Sequence, residues 1–269
     1  MDPNVTHLSL GSLLVWRRVR VGLRIAAIVL GAALAVEQAA VLSDFVKQHP
    51  ALDVTVIFIA AGLVVVDNIV AIGAASRNRR LQEQARQVEK AVVSALVTIS
   101  RVSGVDLAAL GGSVFVPKGF GRRKRLHRIV RSRMLDAPQQ SSVQWTMGKG
   151  VIGRVWKEKR EIHLPIDAIG RRWRDVAISD ETYEGISADA RMGFEREEFQ
   201  GIVGKYAEIL ALPVFSGGEP ASGEVVAVLA FDVPSTVSHP SLGSCLKPVA
   251  VREVAASCAT TVGEYHPAA

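Results

Sequence analysis

The chain has 269 residues, of which 49 % are hydrophobic and only 6 % aromatic, and its mean hydropathy is +0.24. This apolar excess is too large for an ordinary soluble globule, while 22 % charged residues exclude both wholesale disorder and a channel built almost entirely of membrane spans. A membrane segment joined to one folded domain fits both numbers. Thirty-two Lys and Arg against 26 Asp and Glu give a formal net charge of +6, which makes anionic partners worth testing.

Two apolar segments near the N-terminus each have the length of a membrane-spanning helix. Residues 25–43 contain no Lys or Arg, and residues 54–75 form a second apolar run. A helix of about 20 apolar residues crosses the hydrocarbon core of a bilayer. The segment 44–53 between them contains Pro50 and two aspartates. The sequence therefore predicts a two-helix transmembrane hairpin with residues 44–53 as its extracytoplasmic turn.

Basic residues flank this hairpin at both outer ends, in the N-terminal segment 1–24 and directly after residue 75, whereas the turn holds only Lys47. The positive-inside rule therefore places both termini in the cytoplasm of a two-pass protein of the cell membrane. The alternative is a signal peptide cleaved near Ala33–Ala35. The basic leader is long for a signal peptide, and the apolar run continues past that point.

Three polar residues fall within the predicted spans, namely Glu37, Asp67 and Asn68. Such residues are costly in a bilayer and usually face protein or water. One interpretation is a polar seam for ion passage or for regulated helix association. The other is that they only fix the packing of the hairpin through hydrogen bonds to a neighbouring helix.

A stalk helix is predicted for residues 77–103, because apolar residues recur there at steps of three and four. Its stripe of small apolar residues suits a parallel dimer, and an ordinary helix packed on the following domain is equally compatible. We expect a homo-oligomer, a dimer or higher.

Residues 104–265 are expected to carry the soluble fold. Apolar runs predict strands, and a glycine-rich segment predicts a turn followed by a helix. The predicted strands are 105–116, 123–135, 161–166, 208–216 and 223–233, the turn and helix are 147–160, and a final helix is 244–265.

Several of these segments resemble the GAF domain family over roughly residues 78–265. The resemblance rests on Gly148-x-Gly150-x-x-Gly153 before a helix, a short strand ending in Pro165, and the later runs LALPVF and GEVVAVLAFD. Two departures from the family pattern are Leu212-Pro213-Val214 in place of Val-Pro-Leu, and Ala227 where glycine is common. The resemblance implies an α+β fold with an antiparallel sheet flanked by helices, and a cytoplasmic sensor domain that binds a small molecule.

The same three glycines spell the dinucleotide-binding pattern G-x-G-x-x-G. That pattern acts only after a buried parallel strand, and the preceding segment APQQSSVQWTM is no such strand. We expect the glycines to serve a tight turn and close packing of the helix on the sheet.

Residues that carry catalysis or bind metal are sparse. Cys245 and Cys258 fall thirteen residues apart on the predicted final helix, about 20 Å at 1.5 Å per residue, so they are not expected to pair. No zinc-ligand spacing, nucleophile motif or phosphate-binding loop occurs. We expect no enzyme, no metal and no cofactor.

The strongest charge feature is the arginine-rich segment 122–133. A regular strand would place Arg123, Arg125, His127, Arg131 and Arg133 on one face. This face fits a phosphate-bearing ligand or anionic lipid headgroups, or else is a solvated edge balanced by acidic residues elsewhere. Nucleic acid is disfavoured because aromatic residues are not interleaved with the arginines.

Residues 167–200 lie where the resemblance implies a segment that covers a pocket. The expected ligand-binding residues are Arg131, Arg133, Trp145, His163, Arg171, Trp173 and Tyr183. The alternative is that the tryptophans fill the core and the charged residues are surface.

Three functions follow from these features. The first is a membrane-anchored cytoplasmic GAF-like sensor that binds a small ligand, anionic in one version, or a partner, and signals to its hairpin. The second is a ligand-triggered, membrane-disrupting effector of a bacterial defence system, and the third is a GAF scaffold that dimerises without binding a ligand.

Overall fold

The computed structural model describes residues 50–135, 137–139, 141, 143–174, 176–220, 223–237 and 242–265. The predicted first span, residues 25–43 with Glu37, lies outside these residues. The side chains of residues 50–69, which include Asp67 and Asn68, also lie outside the description. Among the residues whose side chains are described, no helix is both long and apolar enough to cross a membrane.

The first described element is the long helix α1, Pro50–Ser103. It begins within the segment 44–53 for which the sequence predicts a turn. Proline suits the first position of a helix because the missing N–H has no partner there. The boundary between the compact units Met1–Leu81 and Gln82–Ala269 falls inside this helix.

The second unit uses the predicted apolar stripe of α1 as a packing face. Val92 and Ile99 are fully buried there, as the spacing of three and four predicts. Val102, which continues the same stripe, is 44 % exposed. It differs because the helix ends at the next residue and Gly104, with φ +73°, turns the chain away.

The core of the second unit is a five-stranded sheet in the order β2-β1-β5-β4-β3. All neighbouring strands are antiparallel. The strands are β1 (Gly111–Lys118), β2 (Arg125–Arg133), β3 (Ile162–Pro165), β4 (Tyr206–Phe215) and β5 (Val225–Pro234). With helices on both faces, this sheet confirms the α+β class predicted from the sequence.

The first strand begins later than predicted. Residues Leu107–Ala109 form a 3-10 turn instead of extended chain, and the Asp106 carboxylate accepts a hydrogen bond from Ala108 N at 2.9 Å. An aspartate in this position satisfies a backbone N–H that the short helix leaves open. Strand β1 starts only after this capped turn.

One face of the sheet packs against α1 and the final helix α7, Val249–Tyr265. Val92 and Leu96 of α1 and Val251 and Val262 of α7 meet the inward side chains of the strands. We call this side of the sheet the α1/α7 face.

The opposite face is covered by a series of shorter helices, and we call it the cover face. Its aromatic and aliphatic core includes Phe115, Trp145, Phe194 and Phe199. The helices are α2 (Gly150–Glu158), α3 (Asp167–Trp173), α4 (Asp180–Glu184), α5 (Ala188–Arg191) and α6 (Arg196–Ile202).

The final helix is shorter than the sequence predicts, and this corrects the placement of one cysteine. Residues 242–248 form turns, and the helix begins only at Val249. The backbone N–H groups of Cys245 and Leu246 bond to the side chain of Glu208 rather than to helical carbonyls. Cys245 therefore does not share a helix with Cys258, although both thiols are buried in the same core.

Candidate functional site

A cavity of about 40 Å³ lies on the cover face, between the sheet and the helices α2, α3 and α6. Its walls are almost entirely apolar, with Tyr206 and glycine backbone adding the few polar atoms. The aromatic and aliphatic side chains that line it are Trp145, Val151, Ile152, Ile166, Ile169, Met192, Phe194, Phe199, Ile202, Val203 and Ile209. Apolar walls with a few polar groups are typical of small-molecule sites.

Trp145 forms one wall of this cavity and is held from three sides. Its carbonyl accepts a hydrogen bond from Leu126 N at 2.9 Å, which ties it to β2. Its ring meets Phe115 and Phe194 edge to face, at centroid distances of 6.0 and 5.7 Å. Aromatic pairs in this geometry are favourable, so these contacts stabilise the position of the Trp145 ring.

Glycines of the G-x-G-x-x-G run permit the close packing of α2 against this wall. A Cβ at Gly150 would lie 2.7 Å from the ring of Phe194, and Gly150 itself has φ +60°. A Cβ at Gly153 would lie 2.2 Å from the carbonyl oxygen of Thr146. The glycines therefore serve the tight turn and the helix packing expected from the sequence.

The cover segment, residues 167–202, closes the cavity from the solvent side. The hydroxyl of Tyr183 donates to the carbonyl of Phe194, and its ring packs edge to face on Phe199 at 6.1 Å. Lys149 pairs with Glu198 at 2.7 Å and connects α6 to the start of α2.

An arginine cluster lies on the same face of the sheet as the cavity. Arg133 forms a salt bridge with Asp232, and the two side chains are 4 % and 13 % exposed. Asp232 is the register partner of Ile209, a cavity residue. Arg131 donates to the carbonyl of Pro138 at 2.7 Å.

Arg128 completes this cluster. Its guanidinium lies over the ring of Phe115, 5.1 Å from the centroid, and Phe115 in turn contacts Trp145 of the cavity wall. Its Nε is buried and has no hydrogen-bond partner among the described residues. A buried donor without a partner is unfavourable, so Arg128 is the group here with unused capacity to bind an anion.

The protonation of the cluster is set by burial. Burial lowers the pKa of Arg133 to about 10, with Arg131 and Arg128 adding to the shift and Tyr206 opposing it. Burial also lowers the pKa of Arg128. Because a pKa near 10 is still well above 7, Arg133 remains a cation at neutral pH.

Arg128 was not among the residues predicted to share a face with Arg131 and Arg133, and the structure shows why. The register pairs Val114 with Val130 but Phe115 with Arg128, so Ile129 is an extra residue in β2. This bulge reverses the alternation of side chains. The predicted shared face is therefore wrong, because His127 lies opposite Val116 on the α1/α7 face. No signal in the sequence marks the bulge.

The other predicted binding residues are dispersed. Trp145 lines the cavity, and Tyr183 supports two of its aromatic residues from behind. Trp173 is packed at the edge of the same core. The side chain of Arg171 is 73 % exposed and pairs with Asp167 on its own helix.

His163 lies on the α1/α7 face, away from the cavity. Its register partner is Leu210, and its Nε2 is 2.5 Å from Oε1 of Glu208. Glu208 is fully buried and also accepts hydrogen bonds from Cys245 N at 2.9 Å and Leu246 N at 2.8 Å. These hydrogen bonds connect the residues before α7 to the sheet. His163 therefore contributes to the structure at this point and does not line the cavity.

The described residues contain no group of three or more His, Cys, Asp and Glu side chains arranged to hold a metal ion. Burial raises the pKa of Cys258 to about 12, and burial together with the charge of Glu208 raises that of Cys245 to about 11. Both therefore remain thiols rather than thiolates at neutral pH, and a thiol is a poor nucleophile and a poor metal ligand.

Comparisons with known proteins add little to this description. No family model matches the chain, and no curated protein matches it. Among solved structures, the chain is similar to the reduced form of Staphylococcus aureus fRMsr, with 12 % identity, a TM-score of 0.36, and coverage of 68 % of this chain and 93 % of that one. At this identity and TM-score, the likeness identifies no function.

Two further solved structures are similar to the chain at equally low identity and TM-score, and they also identify no function. A form of Staphylococcus aureus NreA mutated in its nitrate binding site has 12 % identity and a TM-score of 0.32, covering 60 % of this chain and 87 % of that one. A protein described as a GAF sensor from Burkholderia vietnamiensis has 16 % identity and a TM-score of 0.30, covering 71 % and 94 %.

Proposed function

We propose that residues 82–265 form a GAF-like sensor domain that binds a small amphipathic anion on the cover face. Two observations carry the proposal. The cavity is apolar, and Arg128 connects to its Trp145 wall through the ring of Phe115 and has a buried Nε with no partner among the described residues. An apolar ligand body would pack against the cavity wall. Its anionic group would bind Arg128, which offers paired donors to a carboxylate.

The size and chemistry of the cavity define the ligand class. About 40 Å³ of space accommodates only a few heavy atoms while the cover segment stays in place. Apolar walls favour a ligand with a hydrocarbon part over a fully polar ion. Short-chain aliphatic monocarboxylates fit these requirements, and propionate and butyrate are suitable probes.

The proposal is tested by thermal unfolding of the full-length chain with propionate, butyrate, nitrate and inorganic phosphate. A ligand at a hundred times its Kd stabilises the folded state by about 2.7 kcal/mol, which corresponds to about 5–10 °C for a domain of this size. We expect a shift with the carboxylates that exceeds the shift with the two polar anions. Equal and negligible shifts with all four would contradict the proposal.

The remaining part of the proposal concerns attachment and signalling. Residues 25–43 and 54–75 form a two-pass transmembrane hairpin, and the sensor domain is cytoplasmic; the apolar runs and their flanking arginines support this. Ligand binding is transmitted to the hairpin, and the domain acts without catalysis of its own. A homo-oligomer carries the signal.

The topology is tested by labelling cysteines from outside intact cells. A membrane-impermeant maleimide should label a Lys47→Cys variant, since residue 47 lies in the predicted external turn, and should leave Thr6→Cys unlabelled until the membrane is permeabilised. Equal labelling of the two variants in intact cells would exclude the hairpin.

A further inference from the structure

Strands β1 and β2 form a β-hairpin, which is distinct from the predicted transmembrane hairpin. Its tip, Lys118–Arg125, is called the hairpin tip and presents an aromatic side chain to solvent. Phe120 is 94 % exposed. Glycines with φ of +107° and +58° flank it at Gly119 and Gly121. A 3-10 turn follows, in which Arg123 N donates to the carbonyl of Phe120 at 3.2 Å. Phe120 is therefore held outward by a defined turn.

Basic side chains surround this phenylalanine. Lys118, Arg123, Lys124 and Arg125 are all exposed, and among the described residues none of the four takes part in an ion pair. The sequence has no Asp or Glu between Asp106 and Asp136. The tip is thus a cationic surface with one large apolar group at its outermost point.

This combination matches the surface of a membrane that contains anionic lipids. An aromatic ring exposed to water gains free energy when it enters the boundary between headgroups and acyl chains. Lys and Arg gain from the negative potential of an anionic leaflet. We infer that the hairpin tip is a docking loop for anionic phospholipid, with Phe120 entering the interface and the surrounding cations contacting lipid phosphates.

The docking loop is separate from the anion site proposed above. Arg125 lies on the same face of β2 as His127, the α1/α7 face, whereas Arg128 lies over Phe115 on the cover face. Lipid docking therefore uses side chains that the anion site does not. A nucleic acid is a poorer match, because a single exposed ring does not make a stacking platform for successive bases.

The test places an environment-sensitive fluorophore at the tip of the full-length chain through Phe120→Cys. Labelling is selective because both native cysteines are buried. A control carries the same fluorophore at Ser257→Cys, on the exposed side of α7. Each labelled chain is reconstituted into vesicles of phosphatidylcholine alone, or of phosphatidylcholine with phosphatidylglycerol.

We expect the emission of the tip probe to shift to the blue in the anionic vesicles, to remain unshifted in the neutral vesicles, and to lose its shift at high salt. The control probe should not respond. Each cation near an anionic surface contributes roughly fivefold to partitioning, so Arg123→Gln, Lys124→Gln and Arg125→Gln together should lower the ratio of inserted to free tip about a hundredfold.

Three outcomes would overturn the inference. They are the absence of a shift in anionic vesicles, an equal shift in both vesicle types, and an equal shift when inositol hexakisphosphate or duplex DNA replaces the vesicles. The last would assign the tip to a soluble or nucleic-acid polyanion. Because the probe reports the tip alone, a shift records contact of the tip with lipid rather than attachment of the N-terminal segments to the bilayer.

Discussion

Replacement of Glu208 by alanine should destabilise the domain strongly, although this residue lies on the opposite face of the sheet from the cavity. Its fully buried carboxyl group accepts hydrogen bonds from Cys245 N and Leu246 N and contacts His163. Alanine would leave two buried N–H groups unsatisfied, at about 1–3 kcal/mol each. With the additional cavity, we expect a loss of about 3–5 kcal/mol, of the size seen when a buried pair is broken.

Thermal unfolding of the full-length chain, followed by tryptophan fluorescence, measures this effect. A loss of this size lowers the Tm by about 6–20 °C for a domain of 150–250 residues. Glu208→Gln keeps the shape of the side chain and one acceptor oxygen, so the free energy of unfolding should fall by about half as much as in Glu208→Ala. Glu224→Ala is the control, because Glu224 is an exposed residue beside the start of β5, and it should stay within about 0.5 kcal/mol of wild type. If Glu208→Ala and Glu224→Ala unfold at the same temperature, Glu208 does not connect residues 242–248, which precede α7, to the sheet.

Two further variants or conditions test other parts of the structure. Gly153→Ala should lower the free energy of unfolding by about 1–3 kcal/mol, because its Cβ would lie 2.2 Å from the carbonyl oxygen of Thr146. Gly201→Ala is the control, because Gly201 lies in a helix and an added Cβ would have nothing within 4 Å. It should raise the free energy of unfolding by a few tenths of a kcal/mol. If denaturant titrations show Gly153→Ala to be more stable than Gly201→Ala, the packing argument is wrong. Because the pKa values of Cys245 and Cys258 are raised to about 11 and about 12, both stay protonated up to about pH 9, and Ellman's reagent should modify them only after unfolding. Rapid modification of the folded chain at pH 8 would contradict their burial.

The sequence predicts the sheet well because the strand signal is local. The runs that became β2, β4 and β5 are apolar or alternating segments bounded by glycines or polar turns, and the structure confirms each within a few residues. The start of α7 was misplaced although the sequence holds a local signal for it. Pro248 disfavours the helical conformation of the residue before it, and the helix begins directly after this proline. Glu208, 37 residues before Cys245, then holds the turns that precede the helix through their backbone N–H groups.

The candidate site was only partly predictable. Trp145, one of the ligand-binding residues expected from the sequence, lies in the cavity wall. Arg128 was missed because a single extra residue, Ile129, reverses the alternation of β2. His163 was placed wrongly because its face is decided by the register of β3 against β4, which no local pattern specifies.

The central claim is that an amphipathic anion binds in the cavity with its charged group on Arg128, and titration calorimetry of the full-length chain tests it most directly. Butyrate would be titrated into wild type, Arg128→Gln and Arg125→Gln, the last being an exposed arginine on the same strand. Loss of a desolvated charge pair weakens binding by about 2 kcal/mol or more, which is about thirtyfold in Kd. The account predicts that loss for Arg128→Gln and an unchanged Kd for Arg125→Gln. Equal affinity of all three proteins, or no measurable heat with any of them, would contradict it.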